Sequence, residues 1–290
     1  MSQLDYVSPA SADDAVKALA AAGSSGRPLS GGTDLLVQLK AGRLKPGMIV
    51  DLKRIPGAIG IRQDADGGFT IGAATPGAVI GEHAALAKAW PGVVEAANLI
   101  GSTQVQGRAS LAGNLCNASP AADSVPAMVA ARAVCVVAGP GGRREAPVEA
   151  IAVAPGRTSL APGEFVLEIK LPARPKKSGD AYLRLIPRTE MDIAVVGAGV
   201  SLALDASGTV TEAHVSLGAV APTVLLVPEA GAALIGTKVD EAALAALDAA
   251  ARAACRPISD KRGTAEYRTQ IAGVLARRAA VIAYDRAKAQ

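Results

Sequence analysis

Leu29-Ser30-Gly31-Gly32-Thr33-Asp34-Leu35-Leu36 decides how this 290-residue chain is read. Gly31 and Gly32 lack a Cβ, so the backbone can fold tightly there and present its N–H groups to an anion. The apolar segment that follows reads as a helix starting at Thr33 or Asp34, which adds the positive end of its dipole. The Ser30 and Thr33 hydroxyls are further donors. A pyrophosphate suits such a loop. An ordinary β–α turn uses the same residues, so the loop alone leaves both readings open. A P-loop is excluded, because the chain has no G-x-x-x-x-G-K-S/T, and no G-x-G-x-x-G follows a strand with an acidic residue ~20 positions on. Gly197-Ala198-Gly199 runs into Val200-Ser201-Leu202 and reads as close packing within a sheet.

Upstream of the loop, Ser11 to Gly23 predicts a helix. Ser11 is its N-cap, Asp13 and Asp14 suit its first turn, and Gly23 ends it. Downstream, Ile49–Leu52 and Thr70–Ala73 read as short strands, and His83–Ala97 as a helical stretch broken near Pro91. A second glycine-bearing loop, Ser110-Leu111-Ala112-Gly113-Asn114, lies about 80 residues after the first. Two such loops can clamp a diphosphate without a lysine. Asn117–Asp123 starts another helix, and Val134–Ala138 and Phe165–Leu171 read as strands. Ala173-Arg174-Pro175-Lys176-Lys177-Ser178-Gly179 combines prolines, charges and a glycine, as a linker does. Beyond it, Val195–Leu204 and Val210–Leu217 flank Asp205-Ala206-Ser207-Gly208 as an antiparallel hairpin. Helices are expected over Glu241–Ala254 and Glu266–Lys288. The pattern predicts two α+β domains, residues 1–177 and 178–290, with no internal repeat.

Composition narrows the function. Half the residues are hydrophobic but only 2% are aromatic, so Ala, Val, Leu and Ile must build the core. The net charge of +4 is spread along the chain without a basic, aromatic-interleaved run, which argues against nucleic acid. The first residues carry no leader-peptide pattern and no apolar run is long enough to span a membrane, so a cytoplasmic location is expected. Cys116, Cys135 and Cys255 are widely spaced and odd in number, which fits a reducing compartment. No C-x-x-C occurs, so no iron–sulfur or structural zinc site is expected on this chain. His83 and His214 have no partners at ligand spacing. Ser30 and Ser119 lack a base, and Glu145, Glu149, Glu164 and Glu168 are not paired for acid–base work. No catalytic residue and no metal site are assigned.

Both loops together carry a resemblance. Leu29–Leu36 resembles the first FAD loop of the medium subunits of molybdenum hydroxylases, the carbon monoxide dehydrogenase and xanthine dehydrogenase-type enzymes. Ser110–Asn114 with Ala118-Ser119-Pro120-Ala121-Ala122-Asp123-Ser124 resembles their second loop and the helix after it. Tyr182-Leu183-Arg184, Arg188 and Met191-Asp192-Ile193-Ala194 resemble the start of their C-terminal domain, and Pro257–Arg268 the start of its last helix. The resemblance covers nearly the whole chain, in order. It implies a two-part FAD-binding domain of the vanillyl-alcohol-oxidase (PCMH) type, followed by a three-stranded antiparallel sheet with helices.

The resemblance also implies roles. The amides of Ser30–Asp34 and Ser110–Asn114, with Leu29, Leu35, Leu111, Ala112 and Gly113 among the loop residues, would wrap the FAD pyrophosphate. Asp123 would accept from a cofactor hydroxyl, since a carboxylate offers two strong acceptor oxygens; a plain helix-start carboxylate is the other reading. Ile100 and Leu167 would pack near the flavin. Arg184 stands where relatives often carry a lysine beside the flavin, and its donor geometry differs. Ala112 replaces a glycine of the commoner second loop, at a cost of about 1 kcal/mol if the site needs positive φ. Gln104-Val105-Gln106-Gly107-Arg108 also departs from the commoner pattern.

The implied activity is electron relay. A large partner would hold the molybdenum cofactor and a small partner the 2Fe–2S clusters, in a dimer of heterotrimers. NAD, a quinone or O2 would be the acceptor. Two rivals stay open: a stand-alone FAD oxidase, for which the C-terminal part looks small and apolar, and an assembly subunit that has lost FAD.

Overall fold

The computed structural model describes residues 4–290. Residues 1–3, which open the stretch read against a leader peptide, lie outside the described residues. The first layer is parallel. β1 (Asp5–Val7), β2 (Gly26–Leu29) and β3 (Met48–Asp51) pair in the order β1–β3–β2. Parallel neighbours need crossovers, and α1 (Ala12–Ala22) and α2 (Leu35–Lys40) supply them. Ser11 Oγ accepts from Asp14 N at 3.1 Å, so α1 is capped where the sequence predicts.

The second layer is an antiparallel sheet. It contains β4 (Ile61–Gln63), β5 (Phe69–Gly72), β6 (Val134–Gly139) and β7 (Gly142–Pro147). A small hairpin of β8 (Ala152–Ala154) and β9 (Arg157–Thr158) precedes its last member, β10 (Phe165–Leu171). The order is β4–β5–β10–β6–β7. Between β5 and β6 run α3 (Gly77–Glu82), α4 (Ala84–Ala89), α5 (Pro91–Asn98), α6 (Thr103–Gln106), α7 (Leu111–Cys116) and α8 (Ser124–Ala130). Ile80, Leu86, Leu115 and Met128 from these helices share one core with Phe69, Ile71 and Ile169 of the sheet. His83 caps α4, its Nδ1 accepting from Leu86 N at 3.1 Å. A smaller core, with Val16, Leu19, Val50 and Phe165, joins the parallel layer to the antiparallel one.

The C-terminal part begins with β11 (Ser178–Leu185), paired antiparallel to β12 (Val196–Leu204), which forms the expected hairpin with β13 (Val210–Gly218). The expected three-stranded sheet is corrected to four, because β14 (Leu225–Leu226) pairs with β13. Two residues are too few for an alternation to be read. After α9 (Pro228–Ala232) come two long helices: α11 (Ala265–Lys288) covers the sheet along β11 and β12, and α10 (Glu241–Ala254) packs on α11 and α9. Packing is close because the side chains are small. A Cβ on Gly179 would lie 1.9 Å from the Ala283 carbonyl oxygen of α11.

The two parts dock through β12 and β11. A Cβ on Gly199 would lie 2.5 Å from the Pro126 carbonyl oxygen, so this glycine admits α8 to the sheet. Nearby, Trp90 donates its Nε1–H to the Pro172 carbonyl at 3.3 Å, with the Arg174 guanidinium 4.3 Å from its ring centroid. Arg174 pairs with Asp180 at 2.7 Å, both side chains buried. Burial pushes the Asp180 carboxyl upward, and Arg174 offsets part of that rise. No helix among the described residues is long and apolar enough to cross a membrane.

Candidate cofactor site

A cleft of about 700 Å³ runs between the parallel layer, the start of α7 and the wall from Gly156 to Val166. That volume falls in the range of roughly 300–1,000 Å³ typical of small-molecule sites. Both glycine segments line it. The first follows β2 directly. Gly31 is required by contact, since its Cβ would lie 1.8 Å from the Arg108 carbonyl oxygen. Gly32 has φ +80°, in the left-handed region that glycine favours. Lys53 holds the loop from behind, donating to the Ser30 carbonyl at 3.1 Å and pairing with Asp51 at 2.7 Å.

The two segments are bonded to each other. Ser30 Oγ donates to the Ala73 carbonyl at 2.7 Å and shares a hydrogen bond with Ser110 Oγ at 2.8 Å. Ser110 Oγ also accepts from Gly113 N at 3.1 Å, which makes it the N-cap of α7. The expected second loop is therefore corrected to the first turn of a helix, starting at Leu111. Ala112 sits in that helix and is not among the positive-φ residues, so replacing glycine there costs nothing in backbone strain.

The donor set fits an anion. The amides of Gly31, Gly32, Thr33 and Asp34 have no acceptor among the described residues, nor do those of Leu111 and Ala112. Two converging sets of free amides suit a diphosphate.

The comparisons agree with this geometry. Residues 2–174 match the model of the FAD-binding domain in molybdopterin dehydrogenase, and residues 181–282 that of the CO dehydrogenase flavoprotein C-terminal domain. The chain belongs to the FAD-binding medium-subunit family of the molybdenum hydroxylases. It is 37% identical to the carbon monoxide dehydrogenase medium chain of Afipia carboxidovorans, over 98% of each chain. It is 31% identical to the xanthine dehydrogenase FAD-binding subunit of Escherichia coli O157:H7, over 67% of each. It superposes on a chain of the cyanide-inactivated Cu,Mo-CO dehydrogenase structure with a TM-score of 0.93, at 35% identity, covering 98% of both. This medium subunit is thus an oxidoreductase subunit whose cofactor is FAD.

Of the residues named from the sequence, Leu29, Ser30, Gly31, Gly32, Thr33, Asp34, Leu35, Ile100, Ser110, Ala112, Gly113 and Asn114 line the cleft. Leu111, Asp123, Leu167 and Arg184 do not. Leu111 is a core residue of α7. Leu167 sits at a bulge where the β10–β6 register shifts, buried in the smaller core. Asp123 and Arg184 form an ion pair at 2.7 Å with side-chain exposures of 11% and 6%. Tyr182 OH donates to the other Asp123 oxygen at 3.3 Å. Burial pushes the Asp123 carboxyl above its usual range, and Arg184 and Tyr182 pull it part of the way back.

Sequence reasoning missed the far wall, Gly156–Glu164, and the floor around Arg27. Nothing in the sequence of that wall beyond its Pro-Gly pairs, Pro155-Gly156 and Pro162-Gly163, sets it apart as ligand-binding. Cys116 lines the cleft too, with burial raising its thiol to about 12, which leaves it an unreactive packed group. Among the described residues no group of three or more His, Cys, Asp or Glu is placed to hold a metal.

Proposed function

We propose that this medium subunit relays electrons within a molybdenum hydroxylase complex, from 2Fe–2S clusters on a small partner to an external acceptor such as NAD, a quinone or O2. The observation that carries the reading is that two segments bearing unpaired amides, Gly31–Asp34 and the start of α7 at Ala112, line one cleft in a chain of this family. FAD, when bound, can take up single electrons and release a pair, and the protein supplies binding and orientation. These amides would hold the diphosphate, with Ser110, Gly113 and Asn114 keeping the second segment in place. Leu29, Leu35 and Ile100 supply apolar surface along the cleft, while Leu111 and Leu167 support it from the core. A cofactor hydroxyl that reached past the cleft lining would meet Asp123, whose oxygens each keep a second acceptor site. Arg184 is the cation held behind that carboxylate.

A large partner with the molybdenum cofactor would carry the substrate chemistry, the three chains assembling as a dimer of heterotrimers in the cytoplasm. The division into residues 1–177 and 178–290 belongs to this reading. Absorbance of the purified chain and of the co-expressed complex tests it. Flavin bands are expected, with FAD released on denaturation. A complex that reduces its acceptor equally well after removal of FAD overturns the relay.

A further inference from the structure

The start of α7 is tied to the C-terminal part by hydrogen bonds on either side of the Asp123–Ser124 peptide. Asn114 Oδ1 accepts from Ser124 N at 3.1 Å and from Ser124 Oγ at 2.7 Å. Ser124 is fully buried. It follows Asp123, whose two oxygens take Arg184 Nη1 at 2.7 Å and the Tyr182 hydroxyl at 3.3 Å. Arg184 and Tyr182 both belong to β11, and neither lines the cleft.

We infer that Arg184 and Tyr182 are positioning residues for the cofactor, fixing the α7 amides through Asp123, Ser124 and Asn114. The inference rests on the FAD reading. A buried carboxylate deprived of its cation must protonate or move toward water. Asp123 and Ser124 share one peptide bond, so displacement of the first shifts the second. Asn114 Oδ1 has both of its donors on Ser124, so α7 loses this one of its tethers when Ser124 shifts, while the Ser30–Ser110 bond remains. The carboxylate, cation and hydroxyl thereby make the geometry of one diphosphate-binding segment depend on docking of the other domain.

A second polar junction between the same parts provides a control. Arg286 of α11 pairs with Glu95 and donates to the Asp180 carbonyl at 2.7 Å, leading to α5 rather than α7. The test compares Arg184→Met, Arg184→Lys and Arg286→Met in the full chain and in the co-expressed complex. Two quantities are read: the FAD dissociation constant, and hydrogen exchange at the amides of residues 111–116. Arg184→Met is expected to weaken FAD about tenfold, which is ~1.4 kcal/mol, and to speed exchange at 111–116. Arg184→Lys should restore most of both. Arg286→Met should lower the melting temperature yet leave both at the wild-type level. The inference is overturned if Arg184→Met changes only one readout or neither, or if Arg286→Met gives the same losses. A wild-type chain and complex that take up no FAD overturn the cofactor reading instead, and the exchange rates alone then decide the coupling.

Discussion

Ser30 and Ser110 share a hydroxyl–hydroxyl hydrogen bond of 2.8 Å across 80 residues of sequence, and it joins the two segments that line the cleft. Ser110 also caps α7, whereas Ser30 only bridges to Ala73. Ser110→Ala should therefore cost about 1 kcal/mol of stability through the lost cap, and Ser30→Ala less. Both should weaken FAD binding, which titration with FAD and thermal melts would measure. Equal effects on stability would contradict the capping assignment.

Gly31 and Gly42 separate two reasons for glycine. At Gly31 a Cβ meets the Arg108 backbone, while Gly42 has φ +68° with open space around it. Gly42→Ala should cost roughly 1–2 kcal/mol by left-handed strain and leave FAD affinity untouched. Gly31→Ala must push the two cofactor segments apart, so FAD uptake should be abolished. Flavin absorbance of the purified variants distinguishes the two.

Glu164 sits on the cleft wall in a two-point ion pair with Arg144, at 2.7 and 2.9 Å, and accepts from Ala161 N at 2.8 Å. The Arg144 hydrogen bonds hold its carboxyl below the usual value despite partial burial. A depressed folded value means stability that is present above the unfolded pKa and lost as pH falls through the folded one. The loss should begin near the ordinary glutamate value of about 4.3 and continue downward. Melting temperatures of Glu164→Gln should fall less steeply with acid than those of the wild type. Parallel curves would count against the pair.

Gly199 controls the docking of the two parts, since any side chain there collides with the Pro126 backbone. Gly199→Ala should lower the melting temperature by several degrees, as expected for a loss of about 1–3 kcal/mol from overpacking. Gly141→Ala, in the exposed β6–β7 turn without positive φ and with open space for a Cβ, should cost less. Reversal of that order would mean α8 can retreat without penalty.

Much of this was legible in the sequence, and the rest fails for definable reasons. Capped or strongly apolar elements announced themselves: α1 behind Ser11, the β12–β13 hairpin around Asp205-Ala206-Ser207-Gly208, and α10, whose Asp240 cap accepts from Ala243 N at 2.9 Å. Three-residue β1 and two-residue β14 are too short to show a period. Ser110–Asn114 read as a loop because its Ala and Gly carry no helical pattern, although Ser110 was a usable N-cap signal. The first glycine segment was legible because its backbone geometry is local to Ser30–Asp34. The Asp123–Arg184 pair was not, because 61 residues separate the partners and only tertiary packing joins them.

Trp90 is the one tryptophan of the chain. It lies against Arg174 and Pro172 at the junction of the two domains, not in the cleft. Its ultraviolet emission therefore watches the junction between domains while the flavin chromophore watches the cleft, and the two signals can be followed separately in one cuvette. Under denaturant, a tryptophan red shift that precedes release of the yellow colour would time the parting of the domains ahead of cofactor loss, with no label introduced.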